Sequence, residues 1–234
     1  KDAAALRQAP LRDPNDWPVL GKSQPNLNGR DIVTGAFKYN SDVKVDGMWH
    51  GVVLRSPGYR AKLVSATGDG IIRDGDFAGV CAPTLAKARA LAAKAKVEWA
   101  DEPLPAFDKM IAAFKADAKA PVENNQTRYP PLIRSGDAAK TLISATQTKS
   151  LSFTLAPIAH VALEPRSAIA SFGKDGRLTI RCGKQAPFVV RAEVARAMGM
   201  KETDVHIIVD MPGGAFGCKQ RADVEIEAAR LAKS

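Results

Sequence analysis

Hydrophobic positions change period several times along the chain, and each change marks an element. Residues 1–28 hold no sustained period and several turn formers (Pro10, Asp13-Pro14-Asn15, Pro18, Gly21, Pro25-Asn26), which predicts an extended arm lying on another surface. From Gly29 the pattern tightens through Asp31-Ile32-Val33-Thr34-Gly35 and Phe37-Lys38-Tyr39. It leads to an apolar run at 47–57 that has strand composition and stops at Pro57. A short run at 61–65 is expected to pair with it. Residues 71–82 alternate around Asp74-Gly75-Asp76 and predict a hairpin or a bulged strand. Pro83 then starts an alanine-rich helix over 84–96, with Leu85, Ala88, Leu91 and Ala92 at helical spacing. Val97-Glu98-Trp99 is the returning strand, and 106–118 a weaker helix. Residues 29–119 therefore read as one small α+β unit.

Residues 120–145 carry Pro121, Asn124-Asn125, Pro130-Pro131 and Gly136, so a linker or surface excursion is expected there, with a domain boundary. A second unit follows over 146–234 and reads as incomplete. It opens with a strand candidate at 149–155, then a hairpin of 167–172 and 177–182 turned at 173–176, with Gln185 just beyond. Pro187 stands at the first position of a helix over 188–198 that faces Val190, Val194 and Ala197 inward and is capped by Gly199. An apolar strand at 205–209, a glycine-rich loop and a helix from about 219 to 233 complete the chain.

The loop, Met211-Pro212-Gly213-Gly214-Ala215-Phe216-Gly217-Cys218-Lys219, concentrates the candidate chemistry. A helix opening directly after it would leave several backbone N–H groups without partners. Gly213, Gly214 and Gly217 permit positive φ and close backbone approach, and Phe216 between them would present a flat wall. Such a loop suits an oxyanion, a phosphate or a metal-oxo group; the alternative is a tight β-to-α connection that binds nothing. Its spacing matches neither Gly-x-Gly-x-x-Gly nor Gly-x-x-x-x-Gly-Lys-Ser/Thr.

At 234 residues and 45% hydrophobic content, the chain has room for one large soluble domain or two small ones. The formal charge of +9 raises nucleic acid as a partner. The Lys and Arg residues are nonetheless scattered through alanine-rich segments without interleaved aromatics, which predicts a solvated basic face, or one docking on an acidic partner, and no nucleic acid. Cys81, Cys182 and Cys218 are far apart and form no Cys-x-x-Cys, so no zinc or iron–sulfur site is written in this chain. No apolar run approaches the roughly 18 residues of a membrane span, and no signal peptide is visible. Lys1 in place of Met leads us to expect a processed or truncated chain, with room for a targeting signal before it.

Taken together, these segments resemble the large, molybdenum-binding subunit of the xanthine dehydrogenase and aldehyde oxidase family. Asp31-Ile32-Val33-Thr34-Gly35 with Tyr39 is similar to Asp-x-Val-Thr-Gly-x-x-x-Tyr. Gly47-Met48 through Arg55-Ser56-Pro57 is similar to Gly-Met-Leu-x-x-x-x-x-Arg-Ser-Pro, and His160 with Glu164-Pro165-Arg166 and Ala170 to the His-x-x-x-Glu-Pro-Arg segment. Gln185 with Pro187 resembles Thr-Gln-x-Pro, and residues 213–219 resemble Gly-Gly-x-Phe-Gly-x-Lys. Order and spacing agree over 29–234. The arm, with Pro10-Leu11-Arg12-Asp13-Pro14 and Gly21-Lys22, resembles the isoquinoline oxidoreductase beta-subunit branch, which tends to be exported. That implies a periplasmic or periplasm-facing, membrane-associated location, with the cytoplasm as the alternative.

The resemblance implies an a/b hammerhead domain over 29–119 and the first part of a molybdopterin-binding domain over 146–234. It implies molybdopterin with molybdenum, in the cytosine dinucleotide form. It further implies hydroxylation of aldehydes or N-heteroaromatic compounds with water-derived oxygen, electrons leaving to iron–sulfur clusters on a small partner subunit, and a cytochrome c as candidate acceptor. Gln185 would hydrogen-bond near the molybdenum ligands, the N–H groups of Phe216 and Gly217 would meet the apical oxo ligand, and Gly213, Gly214 and Ala215 complete the cofactor loop. No side chain of this chain would ligate the metal directly. Gln220 stands where some xanthine-oxidising members carry a substrate-contacting acid; it is the substrate-pocket candidate and disfavours a purine. The glutamate base and most pterin contacts are expected on the remaining Mo-domain polypeptide, the first partner. A rival reading is a non-catalytic docking or assembly module of such a complex. His50 is expected to pack, His160 and Glu164 to make structural hydrogen bonds, and Cys218 to be a buried inert thiol.

Overall fold

Three small sheets organise the computed structural model, which describes residues 10–101, 104–117 and 136–234. The first nine residues of the expected arm and most of the 120–145 excursion lie outside the described residues. Residues 10–27 are exposed and end in a short helix, α1 (Gly29–Thr34), stopped by Gly35 at φ +74°.

The first sheet contains β1 (His50–Val53), β3 (Ile71–Asp74) and, between them, β4 (Phe77–Ala82). β4 is buried nearly throughout, so its backbone groups need strand partners on both edges. It pairs antiparallel with β1 and, through the turn at Gly75, with β3, which forms the expected hairpin. The expected pairing of 61–65 with β1 does not form; β1 pairs with β4. Instead β2 (Lys62–Thr67) pairs antiparallel with β5 (Lys96–Ala100). Asp76 helps draw β2 aside, accepting from Leu63 N–H at 3.1 Å and Lys62 Nζ at 2.9 Å. Against β1 and β4 packs α2 (Leu85–Lys94), capped by Thr84, whose hydroxyl accepts from Lys87 N–H. The helix stops short of Lys96 because that residue already belongs to β5. Two further helices, α3 (Phe107–Asp117) and the unforeseen α4 (Ala138–Ser144), contribute no buried residue.

Expected strand 149–155 is absent: residues 145–160 are exposed and irregular and pair with no described strand, so the alternating side chains have no face to bury. The third sheet has the order β6 (Ala168–Phe172), β7 (Leu178–Cys182), β8 (Val205–Val209). β6 and β7 form the expected hairpin, and β8 lies parallel to β7 after the crossover helix α5 (Pro187–Met198). Leu178, Ile180 and Cys182 on β7 pack with Val190 and Val194 on α5 to form the main core. Ala195 is buried and Ala197 exposed, contrary to expectation; the longer Met198 and Met200 cover the core at that end.

The last helix, α6 (Val224–Lys233), begins at 224 rather than near 219, because Asp223 caps it by accepting from Val224 N–H at 2.8 Å. It joins both halves: Ala229 enters the main core, and Leu231 seats on the first sheet where Gly51 and Gly79 leave room. Arg55 pairs with Glu227 on α6, and Arg230 with Asp74 at 3.1 Å. Among the described residues, no helix is long and apolar enough to cross a membrane.

Candidate cofactor-binding site

The glycine loop leaves β8 from a fixed end. Asp210 accepts from Arg181 Nε at 2.8 Å and from Asn40 Nδ2 at 2.9 Å, while its own N–H donates to the Cys182 carbonyl. Burial pushes the Asp210 carboxyl up, but the Arg181 and Asn40 donors outweigh it and hold the group below the usual carboxylate range. Beyond this anchor, Gly214, Phe216 and Gly217 all take positive φ, at +99°, +54° and +101°. Left-handed backbone costs a non-glycine residue about 1–2 kcal/mol, so Phe216 keeps it only because both ends of the loop are held. The Cys218 N–H closes the turn on the Ala215 carbonyl at 3.0 Å. Among the described residues, the N–H groups of Phe216 and Gly217 find no acceptor, and the Phe216 side chain is 73% exposed. Since the helix starts only at Val224, these donors belong to a turn and not to a helix N-terminus.

A buried carboxylate braces the loop from below. Glu164 is 7% exposed; its Oε2 accepts from Gly213 N–H and from Lys219 Nζ, each at 2.7 Å, and its Oε1 accepts from Ser41 N–H at 3.2 Å. Burial raises the Glu164 pKa, yet the three donors together bring it below the ordinary carboxylate value. Lys219 is 1% exposed, and its carbonyl accepts from Gln185 N–H at 3.0 Å. Gln185 and the loop are thus tied together, with the Gln185 side chain exposed and Gln220 exposed beyond the loop. His160 is exposed and lies against Gly217, where a Cβ would stand 3.4 Å from its Nε2. His50 is partly buried on β1, and Cys218 is partly buried rather than fully enclosed.

Residues 120–234 match the molybdopterin cofactor-binding domain family. A nicotinate dehydrogenase chain of Pseudomonas putida is 26% identical over 245 residues, covering 97% of this chain and 20% of that protein. Aldehyde oxidoreductase of Megalodesulfovibrio gigas is 29% identical over 196 residues, covering 83% of this chain and 20% of that protein. Residues 120–234 belong to the molybdopterin cofactor-binding domain family. Its fold is shared with quinoline 2-oxidoreductase from Pseudomonas putida 86, with a TM-score of 0.68 at 21% identity over 91% of this chain and 33% of that one. Aldehyde oxidoreductase from Desulfovibrio gigas gives a TM-score of 0.69 at 23% identity over 89% and 28%. The chain spans about a fifth of the length of the nicotinate and aldehyde-oxidising relatives.

Two features of this chain were not foreseen. A cavity of about 1240 Å³ lies between β1, β6 and α6, with Trp49, Arg55, Arg166 and Leu231 among its walls; it touches neither Gln185 nor the glycine loop. Beside Gln185, Lys184 is buried and donates to the Arg221 carbonyl at 2.9 Å, Asp223 at 3.3 Å and Glu225 at 3.0 Å. The signal for this cluster was the acid spacing Asp223, Glu225, Glu227, which reads equally well as a solvated helix start.

Proposed function

We propose that this chain is part of a molybdenum hydroxylase large subunit and holds molybdopterin on the loop 213–217 together with Gln185. The observation that carries the reading is the turn at Phe216-Gly217: two adjacent N–H groups without an acceptor among the described residues, in backbone tied to Gln185 through Lys219. These residues fit an oxo-rich cofactor. Donors are available, and Gly214 and Gly217 take the positive φ that the turn needs without the cost a side chain would add. When bound, that cofactor supplies oxidation of a substrate carbon with oxygen drawn from water.

The chain's own part is binding and orientation. The Phe216 and Gly217 N–H groups donate to the cofactor's anionic oxygens, the Gln185 amide adds a hydrogen bond beside them, and the Phe216 ring shields the spot from water. Gln220 is assigned to the substrate pocket. The substrate class is an aldehyde or an N-heteroaromatic compound, in keeping with relatives named for nicotinate, quinoline and aldehydes. The remaining Mo-domain polypeptide, an iron–sulfur small subunit and a cytochrome c acceptor complete the assembly, with the cofactor in its cytosine dinucleotide form and the complex facing the periplasm. An a/b hammerhead over 29–119 is part of the same reading. The exposed apolar side chains Leu151, Phe153, Leu155 and Ile158 favour an assembly role beside the catalytic one, since they suit a partner chain.

Elemental analysis of the purified complex tests the reading. Molybdenum and pterin near one per complex are expected; a complex that is metal-free with all its partners present refutes the catalytic assignment.

A further inference from the structure

We infer that Glu164 is a positioning residue for the cofactor loop, acting through Lys219 and Gly213; this rests on the reading just given. One carboxylate serves donors from three separate stretches, Ser41 N–H, Gly213 N–H and Lys219 Nζ. The Glu164 N–H in turn donates to the Gly213 carbonyl at 3.2 Å, so this residue and Gly213 are joined in both directions. Because the Lys219 carbonyl accepts from Gln185, displacing Glu164 moves both components of the site.

Gly213 shows how closely the two are fitted. It is not among the glycines with positive φ, so ordinary residues would tolerate its backbone. A Cβ there, however, would stand 2.7 Å from Glu164 Cβ, an atom that cannot swing aside. Gly214 and Gly217 shape the turn, whereas Gly213 admits Glu164. The requirement is also for a carboxylate in particular. Its two oxygens accept from Ser41 and Gly213 on opposite sides, while an amide offers one acceptor oxygen and would turn an NH₂ donor toward one of them.

The test uses the complete complex. Glu164→Gln alone strands the buried Lys219 charge, so it is made as the pair Glu164→Gln with Lys219→Met. Val80→Ala, fully buried on β4 of the first sheet, supplies a control of lowered stability. At matched melting temperature, the paired variant is expected to retain roughly tenfold less molybdenum and pterin than the control, and its Gly213 amide to exchange with deuterium roughly tenfold faster. Cofactor content equal to the control's, or Gly213 exchange at the wild-type rate, overturns the inference. A wild-type complex lacking molybdenum removes the cofactor reading by itself, and the Gly213 exchange comparison then still decides whether Glu164 holds the loop.

Discussion

Replacing Lys184 by Met is expected to cost far more than replacing its buried partner. The Lys184 ammonium has three donors, and Arg221 O, Asp223 and Glu225 use all three. Glu225 is 0% exposed; its Oε2 takes Lys184 and the Asp223 N–H, and its Oε1 has no hydrogen-bond partner among the described residues. Lys184→Met therefore leaves a fully buried carboxylate without its counter-ion, a change worth about 3–5 kcal/mol. In a chain of this size each kcal/mol moves the melting temperature by about 2–4 °C, so the loss is on the order of 6–20 °C. Glu225→Gln leaves Lys184 with Asp223 and the Arg221 carbonyl and should cost only about 1–2 kcal/mol. The double variant Lys184→Met/Glu225→Leu should recover most of the loss. The deficit also has a sign in pH. Burial raises the Glu225 pKa even with Lys184 pulling it down. A raised folded-state pKa means that the folded protein binds the proton more tightly than the unfolded chain. Stability therefore falls as pH rises from about 4.3, the unfolded value, through the folded one. Losing Lys184 pushes that folded value higher, so the variant's deficit grows as pH rises above about 4.3 and shrinks as pH falls back toward it. Urea unfolding followed by far-UV circular dichroism across this range measures it. Equal deficits for the two single variants, or one that does not change with pH, would refute the reasoning.

Three further outcomes are expected. Gly79→Ala should cost about 1–3 kcal/mol, because its Cβ would meet Val52 O at 3.1 Å and Phe77 Cζ at 3.3 Å as well as Leu231 Cδ2 at 2.9 Å. Gly51→Ala should cost less, since its one close neighbour is the movable Leu231 Cδ1, and thermal unfolding in a Leu231→Ala background should abolish that smaller cost. Asp210→Asn should lower stability at neutral pH, and the gap to wild type should close as pH falls below about 4. The donors that hold the Asp210 pKa down stabilise the folded state only while its carboxylate is charged, so a pH-independent gap would contradict the assignment. Cys182, buried and with its thiol pushed up to about 12 by burial and by Glu225, should resist iodoacetamide until the protein unfolds, whereas partly buried Cys218 reacts first; intact mass against time reads the order.

Local signals in the chain were legible, and the choice of partner was not. The hairpin around Gly75, the hairpin of β6 and β7, Pro187 and Gly199 at the ends of α5, and β8 before the loop all follow from period and from residues with special backbone preferences. Such features depend on neighbours within a few positions. The pairing of β2 with β5 depends instead on partners distant in sequence, the edge of β5 and the Asp76 carboxylate on Leu63 N–H, which no property of residues 61–65 reveals. Likewise 149–155 alternates as a strand should, but alternation supplies no partner for its N–H and C=O groups.

The loop divides in the same way. Its glycines announce close backbone approach, and the turn at Phe216-Gly217 uses that freedom within three residues. What holds the turn is decided by Glu164, 49 residues before Gly213, and by Lys219, whose charge looked like part of a basic surface. A lysine in an alanine-rich, positively charged chain is most often solvated. Lys184 and Lys219 are buried because each meets an acid and a carbonyl or amide contact that complete its surroundings, Glu225 with the Arg221 carbonyl for one and Glu164 beside the Gly213 amide for the other. Two ion pairs therefore flank Gln185, one through its neighbour Lys184 and one through its bond to the Lys219 carbonyl. The rigidity of the candidate site comes from charges that composition counted as surface.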